Sequence, residues 1–246
     1  MPWYEDDELW SGFAEVIFSA DRAAQAADAV AGSPLFGFPP GVRVLDQCCG
    51  PALFASPLAR HGCTVTGVDL SPVMLARAGK ACAAAGVPVE LVAADVREFV
   101  RPGAFDVVVN LHTSFGYFDD PDENLRVLRN ARDSLAPDGV LLVDLLGKEV
   151  YARTAGGTRA VPVEDGVVFM SDTVHADFTR YRSEWTLVRG DTVRHTELTL
   201  WVYSAAELRD LFHAAGFVDV ECFGDFDGGP YDDTAERLIV RGVRGD

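Results

Sequence analysis

Apolar residues recur first with a helical period and then in short runs separated by turns. Between Asp6 and Ala31, positions Leu9, Phe13, Val16, Ile17, Ala24, Ala27 and Val30 carry the apolar pattern. It breaks at Gly32-Ser33-Pro34 and at Pro39-Pro40-Gly41, so one or two helices are predicted ahead of the next element. Strand and helix patterns then alternate: Val42 to Gln47, Leu53 to His61, Thr64 to Asp69, Pro72 to Ala85, Val89 to Ala93, Phe105 to Asn110, Pro121 to Leu135 and Val140 to Leu145. That order predicts an α/β fold, a parallel sheet covered by helices.

Two helix starts are marked by a cap residue followed by proline, Ser71-Pro72 and Asp120-Pro121. From about Gly157 to Tyr203 the period becomes two, with hairpin signals at Asp165-Gly166 and Gly190-Asp191. Tyr181, Ser183, Trp185 and Leu187 fall on one face there, and Arg180, Arg182, Glu184 and Thr186 on the other. Ser204 and Glu207 form a capping-box pattern before a helix that Gly216 stops, and two closing strands follow, Phe217 to Phe223 and Arg237 to Val243. Four regions are expected: an N-terminal helical lid over 1–40, a core over 41–150, an antiparallel β insertion over 151–203, and a segment completing the core over 204–246.

Composition narrows the class. The chain has 246 residues, 48% hydrophobic and 24% charged, enough for one α/β domain with an appendage. No apolar run approaches the roughly 20 residues of a membrane helix, and the acidic, aromatic start differs from a signal peptide. A soluble, cytoplasmic protein without a membrane partner is expected. The formal net charge of -17, from 38 acidic and 21 basic residues, repels a phosphate backbone, so no nucleic-acid partner is expected. Five cysteines (48, 49, 63, 82 and 222) include no Cys-x-x-Cys pair, and no histidine stands at metal-ligand spacing. Cys48 and Cys49 suit packing or backbone geometry better than redox chemistry, and no metal is expected.

The chemistry concentrates at strand ends. In Val44-Leu45-Asp46-Gln47-Cys48-Cys49-Gly50-Pro51-Ala52 a strand runs into small residues and then a helix, whose free N–H groups suit an anion. Asp69 ends the next strand, where a carboxylate accepts from two ribose hydroxyls, and Asp95 follows the third, within reach of an adenine amino group. A nicotinamide fingerprint aligned on positions 48 and 50 requires glycine at 53, and the residue is Leu53. No Gly-Lys-Ser/Thr sequence marks a Walker-type phosphate loop.

With these pieces, with Phe105 to Asn110 and Thr113 to Phe118, with Leu135 to Asp144, and with the tail Gly224 to Tyr231 and Arg237 to Val240, the chain resembles a bacterial family of class I S-adenosylmethionine-dependent methyltransferases acting on small molecules. The resemblance implies a Rossmann-like seven-stranded sheet whose last strand is antiparallel. It also implies S-adenosylmethionine as cofactor and S-adenosylhomocysteine as product. Carried over, Asp46 and the backbone around Cys48 and Gly50 hold the methionine end, Asp69 with Leu70 the ribose, and Asp95 with Val96 the adenine. Asn110 and Leu111 lie beside the sulfonium. The chain departs from the family pattern at Cys48 and Ala52, often glycine there, and at His112, where an apolar residue is commoner.

Methyl transfer is an in-line displacement that needs alignment in a dry cleft more than a strong base. His112, just past the fourth strand, is the candidate general base. Tyr4, Trp10, Tyr117, His175, Trp185 and Tyr203 are the candidate substrate-pocket residues, the leader and the β insertion being the expected cover. Each also suits core packing, the favoured role for Trp185 and Tyr203. Substrate, methylated atom and oligomeric state stay open at this level. So do two rival readings: a cofactor retained as scaffold for a cyclisation or rearrangement, and a non-catalytic cofactor-binding subunit.

Overall fold

A computed structural model describes residues 2–245. Three short helices open the chain: α1 (Asp7–Gly12), α2 (Ala14–Ile17) and α3 (Ala20–Gly32). The continuous apolar pattern is broken because Phe13 and Phe18 leave helical dihedrals. The core then runs β1 (Arg43–Gln47), α4 (Ala55–Arg60), β2 (Thr64–Asp69), α5 (Pro72–Ala85), β3 (Val89–Ala93), β4 (Phe105–Asn110), α6 (Pro121–Ser134) and β5 (Leu135–Leu145). After α7 (Lys148–Thr154) comes the insertion, β6 (Thr158–Val163), β7 (Gly166–His175), β8 (Arg180–Arg189) and β9 (Thr192–Trp201). Then α8 (Ala205–Ala215), β10 (Phe217–Phe223) and β11 (Leu238–Arg244) return to the core.

Seven strands form one sheet in the order β10-β11-β5-β4-β1-β2-β3, and β6 to β9 form a second, antiparallel sheet. The final strand β11 is antiparallel to both neighbours, while β1, β2, β3, β4 and β5 pair in parallel. Alternate side chains feed two cores. Leu45, Val108 and Leu141 pack with α6 and α8 on one face, and Val44, Val107 and Val109 pack with α3, α4 and α5 on the other. Strand order reverses between β1 and β4, so the crevice outside their carboxyl ends is where an open α/β sheet takes a ligand.

The caps expected from sequence form. Ser71 accepts from Met74 N–H and Asp120 from Asp122 N–H, each ahead of a proline, and Ser204 and Glu207 close a reciprocal capping box. The helix after β1 starts two residues later than its apolar pattern suggests. Cys48, Gly50 and Ala52 adopt positive φ, which no α-helix accommodates, so α4 begins only at Ala55. Helix α7 went unread; its seven residues carry only Val150 and Tyr151 as a buried pair.

The insertion packs against the leader. Leu9, Phe13, Val16 and Ile17 cluster with Val168, Met170, Trp185 and Leu187. Trp3 Nε1 donates to the Thr199 carbonyl at 3.1 Å. The loop after β4 joins the same assembly, since Trp201 N–H donates to the Gly116 carbonyl at 2.7 Å. Gly116 has φ +96°, and a Cβ there would lie 2.6 Å from the Trp201 carbonyl oxygen. Gly116→Ala is therefore expected to cost about 2–4 kcal/mol in urea unfolding, from backbone strain plus overpacking. Gly190→Ala, at φ +56° with open space around it, should cost only the conformational strain of about 1 kcal/mol. Equal losses would show that the close approach to Trp201 contributes nothing.

Candidate functional site

At the carboxyl end of β1 the chain turns through left-handed conformations at Cys48 (φ 55°), Gly50 (φ 52°) and Ala52 (φ 68°). Asp69, ending β2, fastens this turn. One of its oxygens accepts Gly50 N–H at 2.8 Å and the other Ser71 N–H at 2.9 Å. Leu70 N–H also bonds this carboxylate, which offers about four acceptor positions, so capacity for a further donor remains, and burial pushes the carboxyl upward. Cys49 has the packing role expected, its Sγ standing 2.9 Å from where a Gly67 Cβ would be. Both thiols are pushed up by burial, then by the nearby carboxylates, which makes them poor nucleophiles.

Asp46 lies behind this turn, 3% exposed, and accepts the Ala55 N–H at the start of α4. Desolvation, reinforced by Asp69, pushes it up to about 8. Asp95 is engaged differently from expectation. Arg97 donates to it through its backbone N–H (2.8 Å), Nε (3.0 Å) and Nη2 (2.5 Å), filling both oxygens. Burial works to raise this carboxyl, and the Arg97 hydrogen bonds and charge outweigh it, so it is held below its ordinary value.

A second strained turn ends β4, with His112 at φ 61° and Thr113 at φ 58°. Buried Asp144 holds it. The acid accepts His112 N–H at 2.9 Å, and Arg237 reaches it through Nε and through Nη2 at 2.8 Å. The His112 ring packs against the leader, with Nε2 at 3.0 Å from the Ile17 carbonyl and 3.3 Å from Arg22 Nη1. The Ile17 carbonyl only accepts and the Arg22 guanidinium only donates, so the two contacts ask opposite roles of Nε2, and Arg22 Nη1 also donates to the same Ile17 carbonyl at 3.1 Å. Desolvation, then the charges of Arg22 and Arg237, push His112 down to about 4, and it is neutral at pH 7.

Between the two turns, the leader and the insertion sheet lies one cavity of about 730 Å³. Cys48, Asp69, Leu70, Asp95, Val96 and His112 line it, as do Tyr4, Trp10, Tyr117 and Trp185. Leader and loop meet ring to ring: Trp3 lies 4.5 Å from Tyr117, and Tyr4 lies 5.3 Å from Phe118. Asp46, Gly50, Asn110 and Leu111 are absent from the lining. Asn110 is 1% exposed, and its amide nitrogen and oxygen have no hydrogen-bond partner among the described residues.

Two expected pocket residues lie elsewhere. His175 is exposed, at the end of β7 beside the turn into β8. Tyr203 is buried in the main core, 5.6 Å from Phe115. Sequence reading also missed three cations of the lining, Arg22, Arg159 and Arg237. Arg22 stands in an alanine-rich helix and Arg159 at the start of an insertion strand, positions where arginine ordinarily covers a surface.

A family described as a methyltransferase domain matches residues 44–139, which span both turns. The cypemycin N-terminal methyltransferase of a Streptomyces species is 28% identical over 81% of this chain and 82% of its own. The chain is similar to class I methyltransferases, in sequence over residues 44–139 and in fold over nearly its whole length. The fold agrees with two solved structures. An S-adenosylmethionine-dependent methyltransferase from Clostridium acetobutylicum superposes with TM-score 0.79 at 15% identity, over 96% of this chain and 99% of its own. The CcbJ methyltransferase from Streptomyces caelestis gives 0.75 at 22%, over 92% and 90%.

Solved structures of this fold are named as S-adenosylmethionine-dependent, one of them with S-adenosylmethionine bound, and S-adenosylmethionine is the candidate cofactor of this site. The residues fit it: Asp69 lines the cavity with acceptor capacity to spare, and Arg22 faces the cavity without an ion pair among the described residues. Its sulfonium and ammonium bring positive charge to a sheet end where Asp46 holds a proton. Loading the chain with S-adenosylmethionine near pH 7 is thus expected to release up to about one proton. Calorimetry in buffers of low and high ionisation enthalpy reads this directly. Asp46→Asn, which keeps an acceptor for Ala55, should abolish the buffer dependence.

Proposed function

We propose that this protein transfers a methyl group to an amine nitrogen of a small molecule by in-line displacement. The observation that carries the reading is the cavity running between the acid-bearing strand ends and His112, whose imidazole burial, helped by Arg22 and Arg237, holds neutral. The names of two relatives agree with nitrogen as acceptor, the cypemycin N-terminal methyltransferase and a sugar N-methyltransferase, KedS8.

When bound, S-adenosylmethionine supplies an electrophilic methyl group on a sulfonium. Asp69 receives the ribose hydroxyls on the acceptor capacity left by Gly50, Leu70 and Ser71. Leu70, 40% exposed, and Val96 form the apolar walls of the adenine slot. Asp95, filled by Arg97, fixes the loop that carries Val96 and leaves adenine recognition to backbone groups. Arg22 takes the methionine carboxylate, the one ionic partner it lacks within the chain. Leader and insertion are the cover that keeps the cleft dry. Five free thiols, each pushed up by burial, suit a reducing cytoplasm.

His112 is too weak a base to draw a proton from an ammonium group. Its neutral ring positions the nucleophile, and burial, the largest cause of its lowered proton affinity, does the same to an amine held beside it. A larger fraction of the acceptor is then neutral and nucleophilic, and the proton lost on methylation goes to solvent.

Conversion to S-adenosylhomocysteine across panels of amines, alcohols and carbon acids tests the assignment. Turnover confined to alcohols or carbon acids would sink the nitrogen reading. Arg22→Gln should raise KM for S-adenosylmethionine about 10- to 100-fold, in keeping with the loss of a charge-assisted hydrogen bond of roughly 1.5–3 kcal/mol. The pH profile is diagnostic as well. With His112 at about 4, kcat should show no step in the ordinary imidazole range, and it should rise with pH to a plateau set by the bound amine, below that amine's pKa in water. A step near pH 6.5 that His112→Ala removes would restore histidine as the base.

A further inference from the structure

Three guanidinium groups face one cavity in a chain with 38 acidic and only 21 basic residues. Arg22 is lowered from its ordinary value by desolvation and then by repulsion from Arg237 and Arg159, so the three share a common space. One cofactor carboxylate accounts for Arg22. The geometry points to a second anion: we propose that the acceptor itself carries a carboxylate or phosphate group, bound by Arg159 and Arg237. This rests on the methyl-transfer reading above.

The two arginines are braced from behind. Asp172, 5% exposed, takes Arg159 at 2.8 Å along with the Ser183 hydroxyl and the Tyr181 hydroxyl. Asp144, 1% exposed, takes Arg237 and the His112 N–H. Both acids are buried and occupied by several donors. The arginines stay accessible, with side chains 55% exposed for Arg159 and 26% for Arg237. Each guanidinium has five N–H donors in a planar fork. Arg237 spends Nε and Nη2 on Asp144 and Thr113, leaving Nη1, and Arg159 spends Nη1 on Asp172. Fixed forks with free donors match the geometry of a carboxylate or phosphate. Arg159 lies on the insertion sheet, whose Tyr181 ring, 4.4 Å from Tyr151, and Trp185 ring also line the cavity. An acceptor with a flat or apolar body and an acidic group fits this wall.

Long-range charge argues for the same arrangement. At -17 the protein repels anions at a distance, so an anionic acceptor is held only through direct contact with local cations. Glu236, Asp69, Asp95 and Asp144 also border the cavity, so an anion is held there by the directed N–H donors of the braced guanidinium groups and not by a net positive field.

The test uses the full chain loaded with S-adenosylhomocysteine and titrated calorimetrically with benzoate, phenyl phosphate and neutral benzamide. At least one anion is expected to bind tenfold or more tightly than benzamide. Preference for benzoate assigns a carboxylate, and preference for phenyl phosphate assigns a phosphate. Arg159→Gln should erase that preference, Arg159→Lys should retain part of it, and both should bind S-adenosylhomocysteine within twofold of the unaltered chain. Anion binding no tighter than benzamide overturns the proposal, as does a preference that survives Arg159→Gln in a variant with an unchanged unfolding midpoint. Failure of the unaltered chain to bind S-adenosylhomocysteine would overturn the cofactor assignment instead.

Discussion

Asp144 is the interaction on which the rest of the site depends. It is buried at the end of β5 and takes donors from two directions, the His112 N–H after β4 and the Arg237 guanidinium just before β11. An unpaired carboxylate at that depth is strongly disfavoured, so the acid secures both partners. The first holds His112 and Thr113 at positive φ, a conformation costly for residues with a Cβ. The second brings a guanidinium to the cavity. Strain at the β4 turn and positive charge on the cavity wall thus share one cause.

The cavity is polarised as a consequence. Asp69 and Asp95 line it at the ends of β2 and β3, whereas Arg22, Arg159 and Arg237 face it from the leader, from the insertion and from just before β11. The acid-rich end suits a ligand that carries net positive charge, and the opposite end lowers the proton affinity of whatever it encloses. At His112 burial is the larger cause of the lowered proton affinity, and Arg22 and Arg237 add to it. A methyl acceptor must be uncharged at the attacking atom, so burial and these charges assist the chemistry without a strong base.

The sequence made the frame legible wherever a local rule determines the outcome. Ser71-Pro72, Asp120-Pro121 and Ser204 to Glu207 cap helices because a side-chain oxygen can satisfy a free N–H only at those positions. The period-two stretch around Tyr181 and Trp185 buries the face its alternation implied. Charge pairing across the fold was not legible. Arg97 lies two residues from Asp95, close enough to be noticed, yet nothing local says that it fills the carboxylate. Arg22 and Arg237 are separated by most of the chain and meet only because the leader folds over the sheet. Tyr203 and His175 were misplaced for a related reason: aromatic and imidazole side chains have no sequence signature that separates a cavity wall from a core or a surface turn.

Donor and acceptor ends are built by different means. At the donor end, positive φ at Cys48, Gly50 and Ala52, the Asp69 tether to Gly50 and Ser71, and the Cys49 contact with Gly67 fix a backbone shape. A change in any of these disturbs the sheet itself. The acceptor end is lined by side chains of a separate sheet, β6 to β9, which reaches the core through leader packing and through the contact of Trp201 with Gly116. Substitutions at Arg159, Tyr181 or Trp185 alter that wall without moving β1, β2 or β4. On the proposed reading acceptor specificity is separable from cofactor binding, with Arg159 as the charged group of the β6 to β9 wall that sets it.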